Sequence, residues 1–115
     1  MASIVQSDQR VRVLMLSAPL DQQLRQSLLD IPEISASGFS VREGLTGAGV
    51  TILKGKTYFG SWRVTAGTLV WVSSNMGEAN HFVDTVDEAV RHTLLLILRN
   101  LEASSRVRSS LRAAS

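Results

Sequence analysis

The chain has 115 residues, 44% of them hydrophobic and 19% charged, with a formal net charge of +2. This length predicts one domain that buries roughly two-thirds of its unfolded surface, and the apolar fraction argues against a disordered chain. The absence of Cys excludes disulfides, thiolate metal sites and thiol nucleophiles.

The charges are distributed unevenly along the chain. Residues 103–115 contain three arginines and no acid, so the rest of the chain carries −1. Within that rest, residues 42–74 carry +3 and residues 75–102 carry −3. We therefore predict a basic sheet region, an acidic last-helix region and a basic C-terminal tail.

Membrane and export signals are the next classes to consider. No apolar run approaches the ~18 residues that a membrane span requires. The nearest approach to a signal peptide is Arg10 and Arg12 before the apolar residues 13–16, which is shorter than an h-region and is soon followed by Asp21. We therefore expect no membrane association and a cytoplasmic location.

The first predicted element is a helix over residues 19–30. Before it, the alternation in residues 11–16 fits a strand or the start of a helix, so residues 10–18 stay open between the two. Pro19 suits a first helical turn, and a narrow apolar stripe follows it. Such a stripe is typical of a packing seam, which makes its leucines candidate protein-interface residues: Leu20, Leu24 and Leu28.

Strands are predicted next, at residues 50–53, 57–64 and 69–72. The segments are rich in β-branched residues and aromatics, and the turns between them contain glycine. A further strand, possible at a sheet edge, lies within residues 34–42. Between them the glycine-rich residues 44–49 predict an ordinary flexible loop, because a phosphate-binding loop requires a Lys and a helix directly after the glycines.

The second of these strands alternates with a period of two. Tyr58 and Trp62 share one face, which we expect to form the core beneath a helix. Phe59 and Arg63 are then expected on the opposite, open face.

The last predicted element is a helix that begins after Thr85. Thr85 and Glu88 have the spacing of a capping box, and an arc of apolar residues from Val86 to Leu101 predicts the face toward the sheet. Leu95 and Leu98 stand among the charged residues of the other side. This position indicates a second contact, with the N-terminal helix or with a second subunit.

Together these elements predict a small single α+β domain over residues 1–102. It would have an N-terminal helix, an antiparallel meander of three to four strands, and a C-terminal helix packed on the sheet. Residues 103–115 are expected to be a basic flexible tail, which extends the last helix at most in part.

The sequence contains little indication of catalytic residues. His92 lies four residues after Glu88, where the two side chains can form a surface pair, and His81 lies in the connection before the helix. Neither histidine has a nucleophile or a third metal ligand at a diagnostic spacing. We therefore predict no catalytic, cofactor-binding or metal-binding residues and no enzymatic activity.

The leading hypothesis is a non-enzymatic protein-interaction module that forms a homodimer or binds a protein partner. Its predicted interface residues are Leu95, Leu98, Leu20, Leu24 and Leu28. The alternative is a DNA- or RNA-binding protein, because aromatic rings among basic residues on a sheet suit stacked bases and phosphates. Its predicted contacts are Lys54, Lys56, Phe59, Arg63, Arg106, Arg108 and Arg112. Binding of a small molecule between sheet and helix is a third hypothesis, supported by the aromatic residues alone.

Overall fold

The computed structural model of this chain describes residues 18–44, 47–75 and 77–114, with side chains as far as residue 106. Eight elements make up this described part. The helices are α1 (Leu20–Leu29), α2 (Pro32–Ala36) and α3 (Val86–Ala114). The strands are β1 (Phe39–Glu43), β2 (Val50–Lys54), β3 (Thr57–Thr65), β4 (Thr68–Ser73) and β5 (His81–Val83).

The strands form one open antiparallel sheet in the order β1-β2-β3-β4-β5. The predicted α+β fold, with a helix before a meander and a helix after it, is confirmed. The sheet has five strands rather than three or four, because the short segment β5 pairs with β4. Residues 11–16, which the sequence left open between strand and helix, lie outside the described residues.

The segment after α1 differs from the predicted edge strand over residues 34–42. Pro32 occupies the first turn of α2, a position that suits its fixed φ and its missing N–H group. Gly38 follows the helix with φ +87°, a left-handed conformation that favours glycine. β1 therefore begins only at Phe39, and it forms one edge of the sheet.

Helices α1 and α3 lie against the same face of the sheet, and the core lies between the two helices and the sheet. α1 contacts α3 and the strands β1, β2 and β3. We call this side of the sheet the covered face. The largest fully buried side chains in the core between this face and the helices are those of Trp62, Leu24, Leu28, Ile52, Leu69, Val50 and Thr93.

A hydrogen bond joins the sheet to α3 at the centre of the core. The Trp62 indole Nε1 donates to Thr93 Oγ1 at 2.8 Å, and Thr93 Oγ1 donates to the Ala89 carbonyl at 2.7 Å. Burial of an indole N–H without a partner costs free energy, so this bond fixes which part of α3 faces Trp62. Beside it, the Trp71 ring lies against Gly60, where an added Cβ would overlap the ring.

α3 begins with one half of the predicted capping box, because the Glu88 backbone N–H donates to Thr85 Oγ1 at 3.2 Å. The Glu88 carboxylate accepts at 3.5 Å from the N–H of Asp84, one residue before the cap, rather than from the Thr85 N–H that the motif uses. The backbone stays helical through Ala114, so the helix continues into residues 103–114, which the sequence predicted to be part of a flexible tail. Within the described residues, no helix is long and apolar enough to cross a bilayer.

Candidate functional site

A β-bulge at Phe59 decides which aromatic residues face which side of the sheet. Ile52 pairs with Gly60 and Leu53 with Tyr58, so Phe59 is the extra residue of β3. One extra residue reverses the alternation of the strand beyond it. Phe59 accordingly packs on the covered face, with its ring centroid 5.0 Å from that of Phe39 and 6.1 Å from that of Trp71.

The predicted facing of Tyr58 and Phe59 was therefore wrong. Tyr58 lies on the side away from α1 and α3, where its hydroxyl donates to Ser61 Oγ at 2.9 Å and the residue is 42% exposed. Phe59 lies with the core instead. Alternation alone predicts the opposite, because it assumes that the strand pairs without a bulge.

We call the side of the sheet that faces away from α1 and α3 the open face. The strand registers and the alternation of side chains assign its members. It is rich in hydroxyl and β-branched side chains and includes two arginines and two aromatic rings. Its members are Ser40, Arg42, Thr51, Leu53, Tyr58, Ser61, Arg63, Thr65, Thr68, Val70, Val72 and Phe82.

Along β1, β2 and β3 the open face borders a groove of about 1000 Å³, which Asp21 of α1 and the loop after β1 also line; the lining does not extend to Phe82 on β5. Arg42, Thr51, Tyr58 and Arg63 are among the residues that line it. Arg42 on β1 and Arg63 on β3 are exposed and are the charged members of this face. Two strand spacings separate β1 from β3, which places the two backbones roughly 10 Å apart across the sheet.

Two carboxylates lie at one end of the groove, and each already has a partner. Asp21 of α1 accepts a hydrogen bond from the Gly49 N–H at 2.8 Å. Glu43 points to the covered side and forms an ion pair with Arg25. Glu43 is balanced by Arg25, whereas Asp21 keeps its negative charge, so among the described lining residues the two arginines leave the groove weakly positive.

The other predicted nucleic-acid contacts do not gather on this face. Lys54 Nζ donates to Asn100 Oδ1 at 2.6 Å and to Ser104 Oγ at 3.3 Å, so it ties β2 to α3 on the covered side. Lys56 is exposed in the turn between β2 and β3, and Arg106 is exposed on α3. The side chains of Arg108 and Arg112 lie outside the described part of the chain.

The predicted interface leucines separate into two groups. Leu24 and Leu28 are completely buried beneath the sheet, and Leu20 packs against the same core. The narrow stripe of α1 is thus a core face, in which Leu24 and Leu28 are unavailable to a partner and Leu20 is half-buried. By contrast, Leu95 and Leu98 on the outer side of α3 are 45% and 57% exposed.

The two histidines meet at the edge of the core, which the sequence analysis missed. The imidazoles of His81 on β5 and His92 on α3 stack in parallel with centroids 4.0 Å apart. The His92 ring also lies edge-on to Trp62, at 5.7 Å. The predicted surface pair of His92 with Glu88 is replaced by this stack, because Glu88 is engaged in the cap of α3.

The environment of His92 disfavours its charged form. Burial lowers the pKa of His92 below its ordinary value of 6.5, and charge on His81 and Arg99 lowers the pKa further, against an opposing effect of Glu78. His92 Nε2 and Trp71 Nε1 are buried without a hydrogen-bond partner among the described residues. In the same part of the chain, no three His, Asp or Glu side chains are close enough together to hold a metal ion.

No protein-family model, curated protein or solved structure matches this chain. Two surfaces of the molecule therefore bear on its function: the outer side of α3 and the open face of the sheet. A third arrangement, the histidine stack, belongs to the edge of the core.

Proposed function

We propose that this protein is a non-enzymatic protein-interaction module that self-associates through the outer side of α3. The proposal is supported by the exposure of Leu95 and Leu98, two large apolar side chains one turn apart on a helix face. Charged residues continue the same line in both directions. We call this line the α3 seam, and its members are Glu88, Arg91, Leu95, Leu98, Glu102 and Ser105.

The seam has the spacing of a coiled-coil contact. Its successive members are three, four, three, four and three residues apart, which keeps them on one side of a gently supercoiled helix. A helix with such a line can pack along a second helix with knobs-into-holes geometry.

The observation that carries the proposal is that the seam complements itself in the antiparallel direction. If two copies are related by a two-fold axis between Leu95 and Leu98, each Leu95 meets Leu98 of the second copy. The same register brings each Arg91 opposite Glu102 of the second copy. A two-fold interface requires this kind of reciprocal matching, and here apolar residues meet apolar residues while opposite charges meet.

The size of the seam predicts weak association. Complete burial of a leucine contributes about 1.5–3 kcal/mol, so four half-exposed leucines contribute roughly 3–6 kcal/mol before the cost of association. The cost of association offsets much of this gain, so we expect a net free energy of association of at most about 4 kcal/mol, which corresponds to a dissociation constant of about 1 mM or higher. The protein must therefore be studied up to about that concentration.

Sedimentation equilibrium of the wild type and of Leu95→Glu tests the surface. We expect a monomer–dimer equilibrium for the wild type and a monomer at every concentration for Leu95→Glu, because a carboxylate in the seam would have to be desolvated. Leu29→Glu is the matched control, since Leu29 is 54% exposed on α1, away from the seam. A monomeric wild type near 1 mM, or unchanged dimerisation of a folded Leu95→Glu, would refute the proposal.

A charge exchange tests the antiparallel register. Arg91→Glu places a carboxylate opposite Glu102 of the second copy and should weaken the dimer roughly 2- to 30-fold, since exposed pairs are worth about 0.2–1 kcal/mol each and the interface contains two. Combination with Glu102→Arg should restore the wild-type dissociation constant. If the double variant is as weak as the single one, the copies do not meet in this register.

A further inference from the structure

We propose that the open face of the sheet binds single-stranded nucleic acid, a role separate from self-association through α3. Arg42 and Arg63 would hold phosphates, and the rings of Tyr58 and Phe82 would stack on bases. This surface differs from the one expected from the sequence, because the bulge removes Phe59 from it and Lys54 is engaged by α3.

The charges of the open face complement an anionic polymer. The charged members of the open face are both arginines, and both are exposed. The carboxylates at the end of the groove, Asp21 and Glu43, are engaged with the Gly49 N–H and with Arg25. An anionic polymer that crosses from β1 to β3 therefore meets two exposed arginines, whose guanidinium groups suit phosphate oxygens.

Two exposed aromatic rings lie on the same face of the sheet as the arginines. Phe82 is 64% exposed and Tyr58 is 42% exposed, so each presents ring surface to solvent. Phe82 pairs with Val70, which in turn pairs with Arg63, so a ring and a guanidinium lie in one row across β5, β4 and β3. Tyr58 lies further along β3, where its hydrogen bond to Ser61 holds the side chain near the sheet.

The open face suits a single strand of nucleic acid better than a duplex. Bases in a duplex are stacked on each other and paired at their edges, so they offer no ring face to an aromatic side chain, whereas a single strand does. The groove of about 1000 Å³ is concave and lined by hydroxyl groups as well as arginines. These features favour an unpaired strand over a duplex, and they favour contacts with little dependence on base sequence.

Fluorescence anisotropy of an end-labelled oligothymidylate of about 20 nucleotides, titrated with the full-length protein at low and moderate salt, tests the proposal. We expect saturable binding that weakens with salt, because bound phosphates release counterions. Arg42→Glu and Arg63→Glu should each weaken binding about tenfold at low salt and should reduce the salt slope. Tyr58→Ala should weaken it about tenfold, with Tyr58→Phe close to the wild type.

Arg106→Glu is the matched control, because it changes the net charge equally on exposed α3. It should alter the affinity less than twofold, and circular dichroism should show that every variant is folded. Equal losses from Arg106→Glu and Arg63→Glu would assign binding to net charge and overturn the proposal. Tighter binding to the matching duplex, or no binding at low salt, would overturn it as well.

Discussion

The two faces of this sheet are built from alternate residues of the same strands, yet they differ in chemistry. On the covered face Trp62, Trp71 and Phe59 pack together, and the Trp62 N–H is satisfied by Thr93. On the open face hydroxyl groups and β-branched side chains surround two arginines. The comparison shows that one strand can build the core with one set of residues and turn the other set away from the helices.

The largest effect is expected from a change that damages the covered face alone. Gly60→Ala places a Cβ inside the Trp71 ring, so either the ring or the strand must move in a close-packed core. We expect a loss of about 3 kcal/mol in the free energy of unfolding, measured by urea denaturation. Thr65→Val, on the open face of the same strand, should change it by less than about 0.5 kcal/mol. Similar losses from the two variants would contradict the division between the faces.

A smaller effect is expected at the edge of the covered face, where His92 titrates. The folded-state pKa of His92 is lowered by burial first and then by charge on His81, so the unfolded chain binds the proton more tightly. Stability is thus complete above pH 6.5 and falls as the pH decreases from 6.5 toward the folded-state pKa. The steepest possible loss for one group is about 1.4 kcal/mol per pH unit.

Urea denaturation between about pH 7.5 and about pH 5.5 measures this dependence. The wild type should lose more stability over this range than His92→Gln, which removes the titrating group. A His92 resonance that titrates above 6.5 in nuclear magnetic resonance would show that the stacked imidazoles stabilise the charged form instead.

The smallest effect is expected at the turn that keeps the two faces in register. Ala66, between β3 and β4, has φ +51° and is followed by Gly67 with φ +79°. Two consecutive left-handed residues suit a type I′ hairpin turn, in which Asn-Gly is preferred. Ala66→Asn should raise the free energy of unfolding by about 0.5–1 kcal/mol, because it relieves a left-handed alanine. A destabilised variant would indicate that the turn is not strained.

Local signals in the sequence predicted much of this fold. The strands β2, β3 and β4 were found because glycines mark their turns and β-branched residues fill them, and α3 was found from its cap at Thr85. β5 was missed because three residues contain no alternation to detect. The extent of α3 was underestimated, since the composition of residues 103–115 resembles a tail while their backbone continues the helix.

The surfaces were harder to predict than the elements. An apolar stripe on a helix has the same residue spacing whether it faces a core or a partner. Leu24 and Leu28 were therefore assigned to an interface although they are buried beneath the sheet. The bulge at Phe59 depends on the pairing with β2, which no local pattern records. Likewise, the stack of His81 on His92 joins two different elements, and the two residues are eleven positions apart in the sequence, so no local pattern predicts the contact.

The placement of both indoles beside His92 has a spectroscopic consequence. Trp62 and Trp71 lie 5.7 Å and 6.1 Å from the His92 ring, both on the side of the sheet that faces the helices. Charged imidazole quenches indole emission at such distances. The intrinsic fluorescence of this protein should thus follow the protonation of His92 and the integrity of the core.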